Sequence, residues 1–234
     1  MKKILFSFLS VLFMAGCCNS YSRKDHSMYW QKNSAEYYAL CIQAYNIAKF
    51  KIDETLISSS SSDKPLAIIA DIDETVLNNL PYNEMLIETD ESFTQKTWSE
   101  WVNKKEATPI PGSLDFFNYV EGKGIEIIYL SNRRVENYEP TRENLISAGF
   151  PFDDQTIMLL RDKDGNKESR RQQLSSYKIV LLLGDNLSDF NELFYKESNE
   201  SRIRGVNSFR QKFADQYILF PNLIYGTWEM GFEN

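Results

Sequence analysis

From residue 65 onward, short apolar runs alternate with segments of helical spacing, and this alternation restricts the possible fold more than any other feature. Runs with the length and composition of buried strands lie at 66–70, 125–130, 156–160, 178–183 and 217–220. Helices are predicted at 111–124, at 139–148 and from about residue 187. Strands separated by helices favour a parallel sheet with helices on both faces, so the predicted fold class is α/β.

Chemically reactive side chains follow four of these predicted strands. In chain order they are Asp71 and Asp73, then Ser131 and Asn132, then a basic stretch with Lys163, Lys167, Arg170 and Arg171, and finally Asp185 and Asp189. The carboxyl ends of parallel strands meet at one edge of the sheet, where such sheets bind ligands. Carboxylates placed this close together repel, and Mg²⁺ with a substrate phosphate relieves that repulsion. The sequence therefore predicts a metal-assisted phosphoryl site.

Residues 78–110 interrupt the alternation directly after the first strand. They hold Phe93, Trp98 and Trp101 among many polar residues and end in Pro109-Ile110-Pro111. An insertion at this place would lie above the carboxyl end of the strand. We therefore predict a small cap inserted at about 78–110 into a core domain of residues 65–234.

The N-terminal residues have the pattern of an export signal. Lys2 and Lys3 precede an apolar stretch from Ile4 to Met14, which is too short to span a bilayer. The tetrapeptide Met14-Ala15-Gly16-Cys17 resembles a bacterial lipobox, with a plain secretory signal as the alternative. Residues 1–17 are thus predicted as a lipoprotein signal with Cys17 as the lipid-modified residue. The predicted location is the bacterial cell envelope, at the outer membrane or cell surface, with the membrane as a partner through the lipid.

The segment between the lipobox and the core divides into two parts. Residues 18–32 are polar, which indicates a tether. Residues 33–64 are predicted to form a helix followed by a Ser-rich linker. The helix covers 34–57, because Tyr37, Leu40, Cys41, Ala44, Ala48 and Ile52 recur at helical spacing and Ser34 can cap its start.

Charge, histidine and cysteine content exclude several classes of protein. The net charge of −7 argues against a basic surface for polymeric nucleic acid. The single histidine, His26, lies in the predicted tether, so a His-based nucleophile relay lacks its residues. Without a C-x-x-C motif, no zinc or redox site is indicated. Cys41 is predicted as a core residue, a Cys18–Cys41 disulfide is an open alternative, and the oligomeric state is open, with a homo-oligomer as one possibility.

The ordered motifs resemble those of the haloacid dehalogenase (HAD) superfamily. They are Asp71-x-Asp73-x-Thr75, Ser131-Asn132, a later lysine, and Gly184-Asp185-x-x-x-Asp189. The stretches DIDETVLNNLPY, YLSNRR, LLLGDNLSDF and PNLIYGTWE are more specifically similar to class C acid phosphatases, the bacterial lipoprotein acid phosphatase family. This resemblance covers nearly the whole chain after the signal and implies a HAD-like sheet with a mostly helical cap.

The resemblance also implies roles for individual residues. Asp71 would be the nucleophile, Asp73 the general acid and base, and Lys167, preferred to Lys163, would neutralise the phosphate and Asp71. The groups implied to bind the substrate phosphate are Ser131, Asn132 and Arg133. Those implied to bind Mg²⁺ are Asp71, the Asp73 carbonyl and Asp185, with Asp189 as a partner of the metal ligands. An aromatic clamp on a nucleobase would be formed by Trp98 and Tyr225. An alternative for Arg133 is an ion pair with an acidic neighbour.

The function predicted from the resemblance is a Mg²⁺-dependent acid phosphatase. It would hydrolyse small phosphomonoesters, with nucleoside 5′-monophosphates favoured, through an aspartyl-phosphate. The alternatives are a non-catalytic surface lipoprotein and a HAD hydrolase or phosphotransferase with another substrate. A dehalogenase is disfavoured, because that chemistry does not need the acid Asp73. Asn78 and Leu80 depart from the usual Asp and Ser of the family, and both could change cap contacts and substrate preference.

Overall fold

The computed structural model describes residues 23–58 and 64–231. The predicted signal, Cys17 and Cys18 lie outside these ranges. The strands are β1 (Leu66–Ala70), β2 (Leu77–Asn78), β3 (Thr108–Pro109), β4 (Glu126–Arg134), β5 (Ile157–Arg161), β6 (Lys178–Gly184) and β7 (Tyr217–Leu219). The helices are α1 (Arg23–Asn33), α2 (Ala35–Ser58), α3 (Leu80–Glu88), α4 (Gln95–Lys104), α5 (Ser113–Gly122), α6 (Tyr138–Ser147), α7 (Glu168–Gln172), α8 (Asn199–Ser208) and α9 (Lys212–Asp215).

The main sheet is parallel and has the strand order β5-β4-β1-β6-β7. Successive β1 residues face opposite sides, with Ile68 and Ala70 in one hydrophobic cluster and Ala67 and Ile69 in the other. Helices α2 and α5 contribute to the first cluster, and Phe213 of α9 packs against the second. The predicted α/β fold is confirmed, because a strand with two buried faces needs a helical layer on each side.

Helix α2 follows the predicted pattern except at Leu40, which is exposed, and it is tied to the loop after β1. Tyr37, Cys41 and Ile52 are buried, as their spacing predicts, and the Tyr37 amide donates to Ser34 Oγ over 3.0 Å. The Tyr45 hydroxyl donates to the Thr75 carbonyl over 2.5 Å. The helix therefore supports the backbone of the segment that carries the two predicted catalytic aspartates.

The predicted cap forms between the two short strands. Strands β2 and β3 pair as an antiparallel ribbon, and α3 and α4 lie between them in the chain. Asn78, one of the departures from the family, accepts from the Leu80 amide over 2.9 Å at the start of α3. Within the part of the chain that the structure describes, no helix is both long and apolar enough to cross a membrane.

The prediction of a tether over 18–32 is wrong from residue 23 onward, where α1 begins. Met28 and Gln31 are buried, and Lys32 pairs with Glu84 of α3 at 2.5 Å. The segment offers too few apolar residues for a helical period to be recognised. The helix is held by contacts with α2 and α3. Such contacts cannot be recognised from the spacing of residues within the segment itself.

The helix predicted from Leu187 is also wrong, since the chain forms only a 3₁₀ turn, Leu187–Asp189. The Asn186 amide donates to Asp189 Oδ2 over 2.9 Å, and Asn186 Oδ1 accepts from the Ser188 amide over 3.3 Å. These are the capping bonds of a helix start, which explains the error. Strand β4 runs on to Arg134, so Ser131 and Asn132 lie on the strand rather than after it.

We predict that Tyr45→Phe lowers the free energy of unfolding by about 1 kcal/mol, because the buried Thr75 carbonyl loses its donor. Chemical denaturation measures the change. Tyr38→Phe is the matched control, because Tyr38 lies on the same helix and is 59% exposed. Equal stability of the two variants would contradict a supporting role for this bond.

Candidate active site

A cavity of about 960 Å³ opens at the carboxyl edge of the sheet, beneath the cap. It brings together the site residues predicted from the sequence. Those that line it are Asp71, Asp73, Trp98, Asn132, Arg133, Lys167, Asp185, Asp189 and Tyr225. Ser131 is fully buried beside them, with Oγ 3.5 Å from Asp73 Oδ2.

Lys167 connects two of the carboxylates. Its ammonium contacts Asp71 Oδ1 and lies 2.7 Å from Asp189 Oδ1, and the residue is only 3% exposed. Lys163, the other candidate, is exposed. The structure therefore puts Lys167 where the resemblance predicted the cation next to Asp71.

Asp71, Asp185 and Asp189 form a carboxylate cluster, with one oxygen of each lying within 4.8 Å of the others. Burial raises the pKa of Asp71 to about 7, an effect that Lys167 opposes and that Asp189 and Asp73 strengthen. Burial, Asp189 and Asp71 raise the pKa of Asp185 well above its usual range. In their ionised forms the three carboxylates outnumber the one ammonium, so the cluster favours either protonation or a further cation.

The arrangement of oxygens in the cluster fits a hard divalent cation. Asp71 uses one oxygen for Lys167, and Asp185 uses Oδ2 to accept from Asn222 Nδ2 over 2.7 Å. The second oxygen of each accepts no hydrogen bond from a described residue. Both oxygens of Asp189 are occupied, by Lys167 and by the Asn186 amide. Asp71 and Asp185 therefore suit direct coordination, and Asp189 suits the supporting place predicted for it.

Asp73 is held by a dense set of donors. Arg133 Nη2 and Nε lie 2.8 and 3.0 Å from Asp73 Oδ1, and Asn79 Nδ2 donates to the same oxygen over 2.9 Å. Arg133 itself is 2% exposed and also donates to Thr141 Oγ1 over 3.1 Å. Two hypotheses for Arg133 came from the sequence: binding of substrate phosphate, and an ion pair with an acidic neighbour. The observed contacts are those of the ion pair, with Asp73 as the partner. Arg133 also lines the cavity.

Asn79 is a site residue that sequence analysis missed. Its Oδ1 accepts from Trp101 Nε1 over 2.9 Å, while its Nδ2 donates to Asp73. Trp101 lies on α4, so Asn79 connects the cap to the carboxyl edge of the sheet. One asparagine in a loop gives no signal by itself, because its importance depends on a partner 22 residues away.

Glu74 is a second missed residue, buried and in the left-handed region at φ 55°. Its Oε1 accepts from the Asn79 amide over 2.8 Å, and the Tyr225 hydroxyl donates to Oε2. Burial, and then Asp73 and Asp185, raise the pKa of Glu74 well above its usual range. The contact holds Tyr225 on the cavity wall.

Contacts with neighbouring side chains hold Trp98 and the Ser131-Asn132 pair in position. Trp98 meets Tyr82 edge-on with ring centroids 5.0 Å apart, and the Arg133 guanidinium lies 5.6 Å from its ring centroid. Arg170 donates to the Ser131 carbonyl and to Asn132 Oδ1, each over 2.6 Å. A phosphate that entered the cavity would therefore meet side chains that are already held in position.

Comparison with known proteins agrees with this site. The family model that matches is described as HAD superfamily, subfamily IIIB (acid phosphatase), and it covers residues 16–228. The chain belongs to this family of acid phosphatases. The class C acid phosphatase from Bacillus anthracis, solved with tungstate bound, is 38% identical, with a TM-score of 0.83 over 88% of this chain and 86% of that chain. The family predicted from the motifs is thereby confirmed.

Plant relatives are also similar to parts of the chain. Stem 31 kDa glycoprotein from Glycine max is 34% identical over 125 residues, which cover 50% of this chain and 49% of that protein. Acid phosphatase 1 from Solanum lycopersicum is 32% identical over 130 residues, covering 52% and 50%. The chain spans about half the length of these curated relatives.

We predict that Asp185→Asn weakens Mg²⁺ binding roughly tenfold or more, because a ligand loses its charge in the cluster. Calorimetric titration of the chelator-stripped protein measures the affinity. Asp153→Asn, in an exposed loop away from the cluster, is the control. Unchanged Mg²⁺ affinity in Asp185→Asn would rule out this cluster as the metal site.

Proposed function

We propose that this protein is a Mg²⁺-dependent phosphomonoesterase that acts through an aspartyl-phosphate. The observation that carries the proposal is the contact of Asp71 with Lys167 inside a cluster of carboxylates that fits a divalent cation. A carboxylate nucleophile needs positive charge beside it to approach an anionic phosphate. The tungstate bound by the Bacillus anthracis relative supports an oxyanion as ligand, since tungstate is tetrahedral like phosphate.

In the proposed reaction, Asp71 forms a bond to phosphorus as the ester P–O bond breaks. Asp73 gives its proton to the leaving oxygen, and an alcohol departs. Asp73 then takes a proton from water as that water attacks phosphorus, which releases phosphate and restores Asp71. Mg²⁺, when bound, would offset charge on the phosphoryl oxygens. Lys167 does the same from the protein side while it keeps Asp71 oriented.

Asp73 depends on its neighbours for position. Arg133, Asn79 and Ser131 fix the direction of its carboxylate, and Asn79 is in turn held by Trp101. A general acid works only within hydrogen-bonding reach of the leaving oxygen. The cap therefore contributes to turnover through this chain of contacts as well as through any contact with the substrate.

Nucleoside 5′-monophosphates are the proposed substrates. Trp98 and Tyr225 both line the cavity, and aromatic faces bind flat bases with little dependence on which base it is.

The alternative of a non-catalytic surface protein is kept for one reason, which is that the Glycine max relatives are named only as stem glycoproteins. The intact Asp71, Asp73 and Lys167 favour catalysis.

Export and lipid anchoring at Cys17 complete the proposal. The lipobox-like Met14-Ala15-Gly16-Cys17 supports lipid anchoring, and the protein would then come from a bacterium. Expression of the full chain in bacteria with and without Cys17→Ser, followed by membrane fractionation, tests it. Equal membrane recovery of both would contradict the lipid anchor.

We predict that Asp71→Asn abolishes phosphate release from adenosine 5′-monophosphate while the protein remains folded, because the amide is a poor nucleophile. Released phosphate is measured with Mg²⁺ and with chelator, and circular dichroism checks the fold. Asp153→Asn serves again as the control for an exposed charge change. Full activity of Asp71→Asn would refute the nucleophile assignment.

We predict that Trp101→Phe lowers kcat roughly fivefold to tenfold, because Asn79 loses one hydrogen bond of about 1 kcal/mol and holds Asp73 less firmly. Steady-state kinetics with the same nucleotide measure kcat and KM. Tyr129→Phe is the matched control, since its hydroxyl donates to Pro151 over 3.2 Å away from the site. If both variants had the same kcat, the positioning role of the cap would be excluded.

A further inference from the structure

We infer that Arg161 forms a second anion subsite in the cavity, for phosphomonoesters that carry a second phosphate group. The inference rests on the proposed function and narrows its substrate class to include nucleoside bisphosphates. Arg161 ends β5, the edge strand of the sheet, and lines the cavity together with Asn132 and Lys167.

The position of β5 sets the distance of this subsite from the nucleophile. Strand β4 lies between β5 and β1, and each strand spacing is ~4.8 Å. The backbone of Arg161 therefore lies about 10 Å to the side of the strand that leads to Asp71. A long side chain at that position reaches groups beside the scissile phosphate, which is where a second phosphate on the same sugar would lie.

The other buried cations near this part of the cavity already have partners. Lys196, which also lines the cavity, is exposed and lies over the Tyr195 ring. Arg133 pairs with Asp73, Lys167 with Asp71 and Asp189, and Arg171 with Glu168 at 2.9 Å. Arg170 is used by the Ser131 carbonyl and Asn132. By contrast, no residue within 23–58 or 64–231 makes a hydrogen bond or ion pair with the Arg161 guanidinium. A half-buried cation that has lost water without gaining a partner favours an anion.

The surroundings of Arg161 strengthen that preference. Burial lowers the pKa of Arg170, and the Arg161 guanidinium lies close enough to lower it further. The carboxylates that border the cavity come from the metal cluster, from Asp73, from the cap side at Asp90 and Glu91, and from Glu229. Cavity-lining residues between 132 and 167 include no carboxylate within the described chain. Asp162 and Asp164 follow Arg161 in the chain, but both are exposed and neither lines the cavity. Arg161 therefore adds positive charge to a wall that no carboxylate of this segment lines.

The scissile phosphate has its own set of groups, which leaves Arg161 for another anion. The proposed metal ligands follow β1 and β6, and Lys167, at the start of α7, contacts Asp71 there. Ser131 and Asn132 lie on β4. Arg161 is one strand further out. If it bound the scissile phosphate instead, its loss would affect every substrate to the same extent.

The test compares adenosine 3′,5′-bisphosphate with adenosine 5′-monophosphate on the wild type, Arg161→Gln and Arg161→Lys. We expect Arg161→Gln to raise KM for the bisphosphate roughly tenfold and to leave KM for the monophosphate unchanged, with partial recovery in Arg161→Lys. Arg134→Gln is the control, because Arg134 is an exposed cation paired in register with Arg161 on the neighbouring strand. It should change neither value.

Equal effects on both substrates, or no effect on either, would overturn the subsite. Calorimetric titration of the same proteins with both nucleotides gives a readout that does not need turnover. If the wild type hydrolyses neither nucleotide, the proposed function fails, and the subsite then stands or falls on whether Arg161→Gln selectively weakens binding of the bisphosphate.

Discussion

The site depends on one buried ion-pair arrangement, in which Lys167 lies between Asp71 and Asp189. These residues come from three places in the chain: the end of β1, the start of α7, and the turn after β6. Removing one partner of such a pair leaves an unpaired buried charge, which typically costs about 3–5 kcal/mol. The lysine thus fixes the relative positions of these three segments. In the proposed reaction it also provides the charge that a carboxylate nucleophile requires.

The carboxylate cluster around this lysine suits a further cation. Three carboxylates face one ammonium, and burial raises the pKa of both Asp71 and Asp185. A divalent ion coordinated by these two aspartates would favour their charged forms, and the substrate phosphate then enters a site with balanced charge. In the proposed function, the metal, Lys167 and the substrate phosphate therefore meet one electrostatic requirement, which is to balance the charge of these carboxylates.

Sequence patterns predicted the residues whose signal is local and missed those whose importance arises from distant contacts. Asp71, Asp73 and Asp185 stand out because each follows an apolar run. Asn79 and Glu74 do not, since their partners Trp101 and Tyr225 lie 22 and 151 residues away. Local capping bonds at Asn186 resembled a helix start, and α1 gave too few apolar residues to be recognised. The sheet was predictable because its strands are buried on both faces.

The central claim is that Asp71 becomes phosphorylated during turnover. The most direct measurement is mass spectrometry of the wild-type protein quenched in acid while it hydrolyses adenosine 5′-monophosphate with Mg²⁺. The account predicts a phosphoryl group on the peptide that contains Asp71, localised to that residue and absent when chelator replaces Mg²⁺. Continued phosphate release with no modification at Asp71, or with the phosphoryl group on another residue, would contradict the account.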